Sequence, residues 1–149
     1  MHVLRAEKGF IIVGEETDGT VTPMDLGMDW IVSKAKKDFL GKRSLSRSDI
    51  IKSDRKQLVG LLTDNPDYVL GVGAQIVSQI NESPPMPMEG HVTSSYYGPR
   101  VGRSIAMALL SGGLKRQGET VTVWDQGNIV RAKVSSPVFY DRDGDRMNA

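Results

Sequence analysis

The sequence predicts a mainly β protein of the α+β class. A small mixed segment, residues 1–53, precedes a six-stranded antiparallel Greek-key β-barrel over residues 54–149. From residue 57 onward, short runs rich in Val, Ile, Thr and Tyr alternate with Gly, Pro, Asn and Asp signals. Six such runs within about 80 residues most simply close on themselves, because a closed barrel leaves no strand edge unpaired.

The N-terminal segment combines one predicted strand with two predicted helices. Residues 10–13 are an apolar run between glycines, which predicts a buried strand. Residues 16–20 are a turn. A first helix begins at residues 22–25, where Thr caps, Pro suits the first helical position and Asp lies near the positive end of the helix dipole. A second helix is predicted over residues 41–51, with Leu and Ile on its apolar side.

The barrel strands follow one another at short spacing. Residues 126–128 form a hairpin turn, and residues 81–88 contain three prolines and therefore predict a loop. The predicted strands are 57–63, 75–80, 90–96, 104–110, 120–125 and 129–135. A segment of about 50 residues with so few elements buries little apolar surface alone. We therefore expect the barrel, or a neighbour from a longer protein, to cover it.

Composition excludes several classes of protein. The 149 residues are 39% hydrophobic and 25% charged, with no apolar run long enough to span a membrane and no secretory signal. The absence of cysteine excludes disulfides, thiolate zinc sites and a cysteine nucleophile, and it fits a cytoplasmic protein.

We expect no metal site, because the two histidines have no partner at ligand spacing and the three aspartates after residue 140 do not complete a calcium loop. We also expect no nucleotide loop, since the Gly-Val-Gly of residues 71–73 has no third glycine.

Positive charge is concentrated between Lys34 and Lys56. This stretch contains nine Lys or Arg residues and only three Asp residues. Such a run is usually a solvated face. The alternative is a docking strip for an anion, such as a polyglutamyl tail, a nucleic acid or an acidic partner. Few aromatic residues interleave with these charges, which argues against a nucleic-acid binder.

Glu7 is the candidate binding residue that local sequence suggests. A partly buried carboxylate can accept paired hydrogen bonds from an amino-pyrimidine edge; the alternative is an ion pair with Arg5 or Lys8 at the end of a strand. Trp30 and the Tyr96–Tyr97 pair can stack on an aromatic ligand, although core packing is the competing role for Trp30. Strand alternation sends one of the two tyrosines inward and the other outward.

The order of motifs resembles the aminomethyltransferase family. The pattern begins with Arg5-Ala-Glu7-Lys-Gly and continues with the Thr-Pro, Asp, Gly and Trp of residues 22–30 and the Asp-Phe-Leu-Gly of residues 38–41. Strings in the barrel, at residues 91–95 and 103–108, and the ending at 136–140 match the family's last domain. Residues 17–23 are more similar to the sarcosine oxidase alpha subunits than to the glycine-cleavage enzymes.

The resemblance implies a tetrahydrofolate site. In the family the matching glutamate contacts the pterin, so Glu7, Arg5 and Trp30 become candidate folate residues, with Lys36 or Lys37 near the glutamate tail. The family's catalytic aspartate belongs to an upstream segment, so we assign no catalytic residue here and expect the isolated chain to be inactive. Residues 1–53 are then the end of a folate-binding domain. Its upstream half and other sarcosine oxidase subunits are the implied partners, with flavin and NAD bound elsewhere in the complex.

The leading hypothesis is therefore a fragment of a sarcosine oxidase alpha-like protein that takes part in forming 5,10-methylenetetrahydrofolate. Fragments of a glycine-cleavage aminomethyltransferase or of a dimethylglycine dehydrogenase are rivals within the same class. A non-catalytic module that binds folate or nucleic acid is the alternative from another class. The folate-binding relatives linked to iron–sulfur assembly carry Lys-Gly-Cys, whereas this chain has Lys8-Gly9-Phe10.

Overall fold

A computed structural model describes residues 1–83 and 85–147 of the chain. The N-terminal segment begins with one short helix, α1 (His2–Glu7), and continues through turns and two 3₁₀ turns, Asp29–Ile31 and Lys42–Ser46. No helix within these residues is long and apolar enough to cross a bilayer.

Six antiparallel strands close into a barrel within the described residues. Their order around the barrel is β1-β4-β3-β2-β5-β6, so β1 lies between β4 and β6 and the connection is a Greek key. The predicted fold class is confirmed, and five of the predicted strands match to within two residues at each end. The second strand is shorter than predicted. The strands are β1 (Lys56–Thr63), β2 (Gln75–Val77), β3 (Met88–Gly98), β4 (Arg103–Ser111), β5 (Thr120–Asp125) and β6 (Asn128–Ser135).

The molecule has two apolar cores on opposite sides of the barrel wall. The first fills the barrel with small and branched side chains, among them Leu61, Ile76 and Val92. The second lies outside the barrel, where α1 and the loops after it cover the outer face of β1 and β4. It contains Ala6 together with Leu58, Ile105, Met107 and Leu109. The N-terminal segment is thus held by burial against the barrel.

A β-bulge in β3 determines which side chains reach this second core. Val92 pairs with Ala108, whose side chain faces the barrel interior, but the register then shifts and Ser94 pairs with Met107. One residue, Thr93, is extra, so the side chains of Ser94 and Tyr96 point outward rather than into the barrel. Tyr96 packs against the second core, whereas Tyr97, near the end of the strand, is 46% exposed.

The N-terminal predictions are largely wrong. Residues 10–13 form no strand; Phe10 and Val13 are 60% and 88% exposed, and one isolated bridge joins Val13 to Thr17. The barrel is closed, so it offers no edge on which such a strand could pair. Arg5 and Glu7 lie instead on a helix that the sequence analysis missed.

The two predicted helices also fail to form. The predicted helix at residues 22–25 is a series of turns, ended by Gly27 at φ +68°. The second helix shortens to the 3₁₀ turn at Lys42–Ser46, because the serine-rich sequence around it favours turns over a continued helix.

Candidate functional site

The C-terminal end of helix α1 is attached to the segment that follows β6. The backbone carbonyl of Glu7 accepts hydrogen bonds from the N–H groups of Phe139 and Tyr140, each at 2.9 Å. Gly9 follows at φ +72°, where an added Cβ would lie 2.8 Å from the carbonyl oxygen of Pro137. Glycine is therefore required at this crossing both by its backbone conformation and by the close approach of the two chain segments.

Glu7 is buried at the C-terminal end of α1, with 2% of its surface exposed. Its Oε1 accepts a hydrogen bond of 2.9 Å from the backbone N–H of Arg100, in the turn between β3 and β4. Gly98 makes room for the carboxylate, since a Cβ there would lie 3.1 Å from Oε1. Neither ion pair that local sequence offered as an alternative forms, because Arg5 and Lys8 have other partners.

Arg5 is the centre of a polar cluster beneath α1. Its Nη1 donates to Glu16 Oε2 at 2.9 Å, and its Nη2 donates to Glu15 Oε2 at 2.9 Å and to Ser94 Oγ at 2.6 Å. The guanidinium also lies over the ring of Tyr96, 5.9 Å from its centroid. Only 10% of the Arg5 side chain is exposed, so in this structure its charge is satisfied internally.

Glu16 is the residue of this cluster that the sequence analysis missed. Its side chain is fully buried, and its carboxylate accepts from Arg5, from the N–H of Ile12 at 2.7 Å and from the hydroxyl of Ser94. The sequence predicts a turn at Glu16 and indicates no function for it. Its barrel partner Ser94 is 78 residues away, so no local pattern reveals the contact.

Trp30, Lys36 and Lys37 are exposed residues of the segment 29–46. Trp30 is 74% exposed, so the competing prediction that it packs in the core is wrong. Lys42 fixes the backbone of this loop, because its Nζ donates to the carbonyl oxygens of Lys36 at 3.0 Å and Lys37 at 2.7 Å. The two lysine side chains are left facing solvent.

An open, mainly apolar hollow of about 460 Å³ adjoins this loop. Its walls include Ile31, Phe39 and Leu45, with Lys36 at its margin. The hollow can accept a flat or apolar group, and the lysine can attract a negative charge beside it.

The structure therefore separates the predicted site residues into two groups. Arg5 and Glu7 lie on α1 against β3 and its turn, whereas Trp30, Lys36 and Lys37 lie on the 29–46 segment. In the part of the chain described, no hydrogen bond or ion pair links one group with the other.

Asp18 and Asp25, for which the sequence predicts a turn and a helix start, form structural hydrogen bonds. Asp18 accepts from the N–H of Thr20 at 2.7 Å. Asp25 is buried and accepts from both the N–H and the hydroxyl of Thr22, and from Arg55. Burial acts to raise the pKa of the Asp25 carboxyl, but the hydrogen bonds from Arg55 and Thr22 outweigh it and hold the pKa below its usual range.

The residues described contain no group of His, Cys, Asp and Glu side chains that could hold a metal ion. Asp141, the first acid of the calcium-like string, forms an ion pair of 3.0 Å with Lys8. The same carboxylate accepts from the N–H of Arg146, which stabilises the turn at the end of the chain. The string is a structural turn in this arrangement.

The fold defines a class: a six-stranded Greek-key barrel whose outer face carries a short polar-anchored helix. The family model for the glycine cleavage T-protein C-terminal barrel domain matches residues 56–141. The chain belongs to this family. The crystal structure of the glycine cleavage system aminomethyltransferase T from Bartonella henselae aligns with a TM-score of 0.75 and 25% identity, over 95% of this chain and 38% of that one.

The sequence relatives place the chain more narrowly. It is 50% identical over 150 aligned residues to the sarcosine oxidase subunit alpha of Corynebacterium sp. strain P-1, covering 99% of this chain. Identity to the same subunit of Rhizobium meliloti strain 1021 is 39%, again over 99% of this chain. An aminomethyltransferase from Methylococcus capsulatus is 32% identical, over 93% of this chain and 36% of that protein. The chain spans 15% of the length of the sarcosine oxidase relatives.

Proposed function

We propose that this chain forms one side of a tetrahydrofolate site in a longer sarcosine oxidase alpha-like protein. The observation that carries the proposal is the 50% identity to a sarcosine oxidase alpha subunit across 99% of the chain, together with the aminomethyltransferase barrel fold. When bound, tetrahydrofolate supplies N5 and N10, which capture the one-carbon unit of an oxidised N-methyl amine as 5,10-methylenetetrahydrofolate. Flavin and NAD belong to other parts of the complex in this proposal.

The residues present suit the two ends of a folate. Glu7 Oε1 is already bonded to Arg100, and no described residue donates to Oε2. That second oxygen is the one available to the amino-pyrimidine edge of a pterin. Trp30 and the hollow beside it offer a stacking surface for an aromatic ring, and Lys36 and Lys37 offer positive charge for the glutamate carboxylates.

In that site this chain positions the folate and does not transfer a proton. The buried acids Asp25 and Glu16 are engaged in structural hydrogen bonds, so we assign neither a catalytic function. Holding the folate and the one-carbon donor in contact can lower the barrier of their reaction by about 7 kcal/mol or more. The catalytic group is proposed to lie on another segment of the longer protein.

Exposed apolar side chains support a missing neighbour. Leu40 is completely exposed, and Leu4, Phe10, Val13 and Trp30 are also largely in contact with solvent. An accumulation of large apolar groups on one segment of about 50 residues is typical of a covered interface. We propose that the upstream half of the folate-binding domain covers residues 1–53, and that other sarcosine oxidase subunits join the assembly. A cytoplasmic location is part of the same proposal, since a chain without cysteine needs no oxidising compartment.

A calorimetric titration with 5-formyltetrahydrofolate tests the proposal. We expect saturable binding by the wild-type chain, or by the chain fused to the upstream segment of a sarcosine oxidase alpha relative. Glu7→Ala should weaken it about tenfold or more through loss of a charged hydrogen bond. Glu82→Ala is the matched control, because Glu82 is exposed and no described residue pairs with it. Absence of binding in both wild-type forms would contradict the folate proposal.

A further inference from the structure

Glu16 is a buried acid for which the proposed function has no direct use. An ionised carboxylate taken fully out of water loses several kcal/mol of solvation. Here that loss is offset by three donors: the guanidinium of Arg5, the N–H of Ile12 and the hydroxyl of Ser94. The donors come from α1, from the loop that follows it and from barrel strand β3. One carboxylate therefore joins three parts of the chain.

The bulge at Thr93 is what makes this junction possible. Without the extra residue, Ser94 would continue the alternation of Val92 and point into the barrel core. With it, Ser94 Oγ lies at the outer face, 2.6 Å from Arg5 Nη2 and within hydrogen-bonding distance of Glu16. Bulges occur preferentially next to functional sites, where they redirect a side chain.

We propose that Glu16 is a positioning residue that acts through Arg5 to set the place of Glu7. Arg5 and Glu7 are two residues apart on one six-residue helix, so a helix held at Arg5 is also held at Glu7. Glu7 has a second fixed point in the N–H of Arg100 at the β3–β4 turn. Between these two points the carboxylate of Glu7 has one orientation, with Oε2 left for a ligand. The inference rests on the proposed function.

A purely structural use of Glu16 makes a different prediction. Buried ion pairs often add little net stability compared with apolar side chains of the same size, and their best-attested use is to select one arrangement. If Glu16 only stabilised the fold, its removal would weaken folate binding independently of Glu7. If it positions Glu7, its effect disappears once Glu7 can no longer bind the pterin.

A double-mutant cycle separates the two cases. We expect Glu16→Gln and Glu7→Gln each to weaken binding of 5-formyltetrahydrofolate by about tenfold or more, the loss typical of a charged hydrogen bond. The double variant should bind no worse than Glu7→Gln alone. Glu82→Gln is the matched control, since it makes the same change at an exposed glutamate with which no described residue pairs; its effect should stay below about twofold. Losses that multiply in the double variant, or an unchanged affinity in Glu16→Gln, would overturn the proposal.

A second readout needs no folate. The amide proton of Arg100 reports the hydrogen bond to Glu7, so its NMR signal should move upfield in Glu7→Gln and also in Glu16→Gln, but stay in place in Glu82→Gln. If Glu16→Gln fails to fold, Ser94→Ala removes a single donor of the same cluster and should move the same signal. An unmoved Arg100 signal in the folded cluster variants would refute positioning. Failure of wild type to bind folate would refute the proposed function, and the Arg100 signal would still decide the positioning of Glu7.

Discussion

The Asp25–Arg55 pair gives a direct test of how the N-terminal segment is held on the barrel. The buried carboxylate of Asp25 accepts from the N–H of Thr22 at 2.9 Å and from Nε and Nη2 of Arg55 at 3.0 and 2.7 Å. Asp25→Asn removes the charge and leaves the mostly buried Arg55 guanidinium without its counter-ion. Breaking such a pair costs about 3 kcal/mol, at the low end for buried pairs because Arg55 keeps some contact with water.

Thermal and urea unfolding at pH 7 measure this loss. For a chain of this length, about 3 kcal/mol lowers Tm by roughly 6–12 °C. Asp29→Asn is the matched control, since Asp29 is exposed and lies 3.8 Å from its partner Lys34. Its free energy of unfolding should change by less than about 0.5 kcal/mol. The reasoning is refuted if Asp25→Asn loses under about 1 kcal/mol, or if Asp29→Asn loses as much.

The pH dependence of the same pair has a definite sign. Because the folded-state pKa of Asp25 is lowered, the unfolded chain takes up the proton more readily than the folded chain. The contribution of the pair is therefore complete above the unfolded pKa of about 4, and it is lost as the pH falls through the lower folded value. The difference in unfolding free energy between wild type and Asp25→Asn should be constant at neutral pH and shrink below about pH 4. A difference unchanged down to about pH 2 would contradict this account.

Two further predictions concern the barrel. In Gly60→Ala the new methyl group would collide with the carbonyl oxygen of Ser136, so we expect a loss of about 3 kcal/mol or more by urea unfolding. Gly19→Ala meets no atom within 4 Å and should be neutral or slightly stabilising, and equal losses in both would show that the steric argument fails. Leu61→Ala empties the barrel core and should cost about 2–5 kcal/mol. Leu40→Ala, at a fully exposed position, should leave the same unfolding midpoint unchanged; a comparable loss there would mean that Leu40 is packed in solution.

The barrel could be predicted from the sequence because each strand carries its own signals. Apolar residues are concentrated within β1, β5 and β6, and turn residues such as Gly127 mark the ends. These signals are local, so they can be read from the sequence without knowledge of contacts between distant residues. The bulge at Thr93 was not predicted, because nothing in the residues 92–94 distinguishes a bulge from continuous alternation.

The candidate site was predicted only in part. The burial of Glu7 agrees with the sequence-based expectation. The helix that carries Glu7 was not predicted. The hydrogen bond of Glu7 to Arg100 and the Arg5–Glu16 cluster depend on contacts between residues distant in the sequence. For Trp30, core packing was the prediction that competed with stacking on a ligand. Its exposure reflects a segment of about 50 residues with too little apolar surface of its own to bury it.

The order of strands also has a consequence for synthesis on the ribosome. Both neighbours of β1 come later in the chain: β4 ends at Ser111 and β6 at Ser135. At about 5–20 residues per second, β1 waits roughly 2–10 s between its own completion at Thr63 and the completion of its first partner. Throughout that interval its apolar faces and both of its edges are open to other nascent chains. Slower translation of residues 64–111 should therefore increase aggregation during synthesis, whereas slower translation after β6 should not.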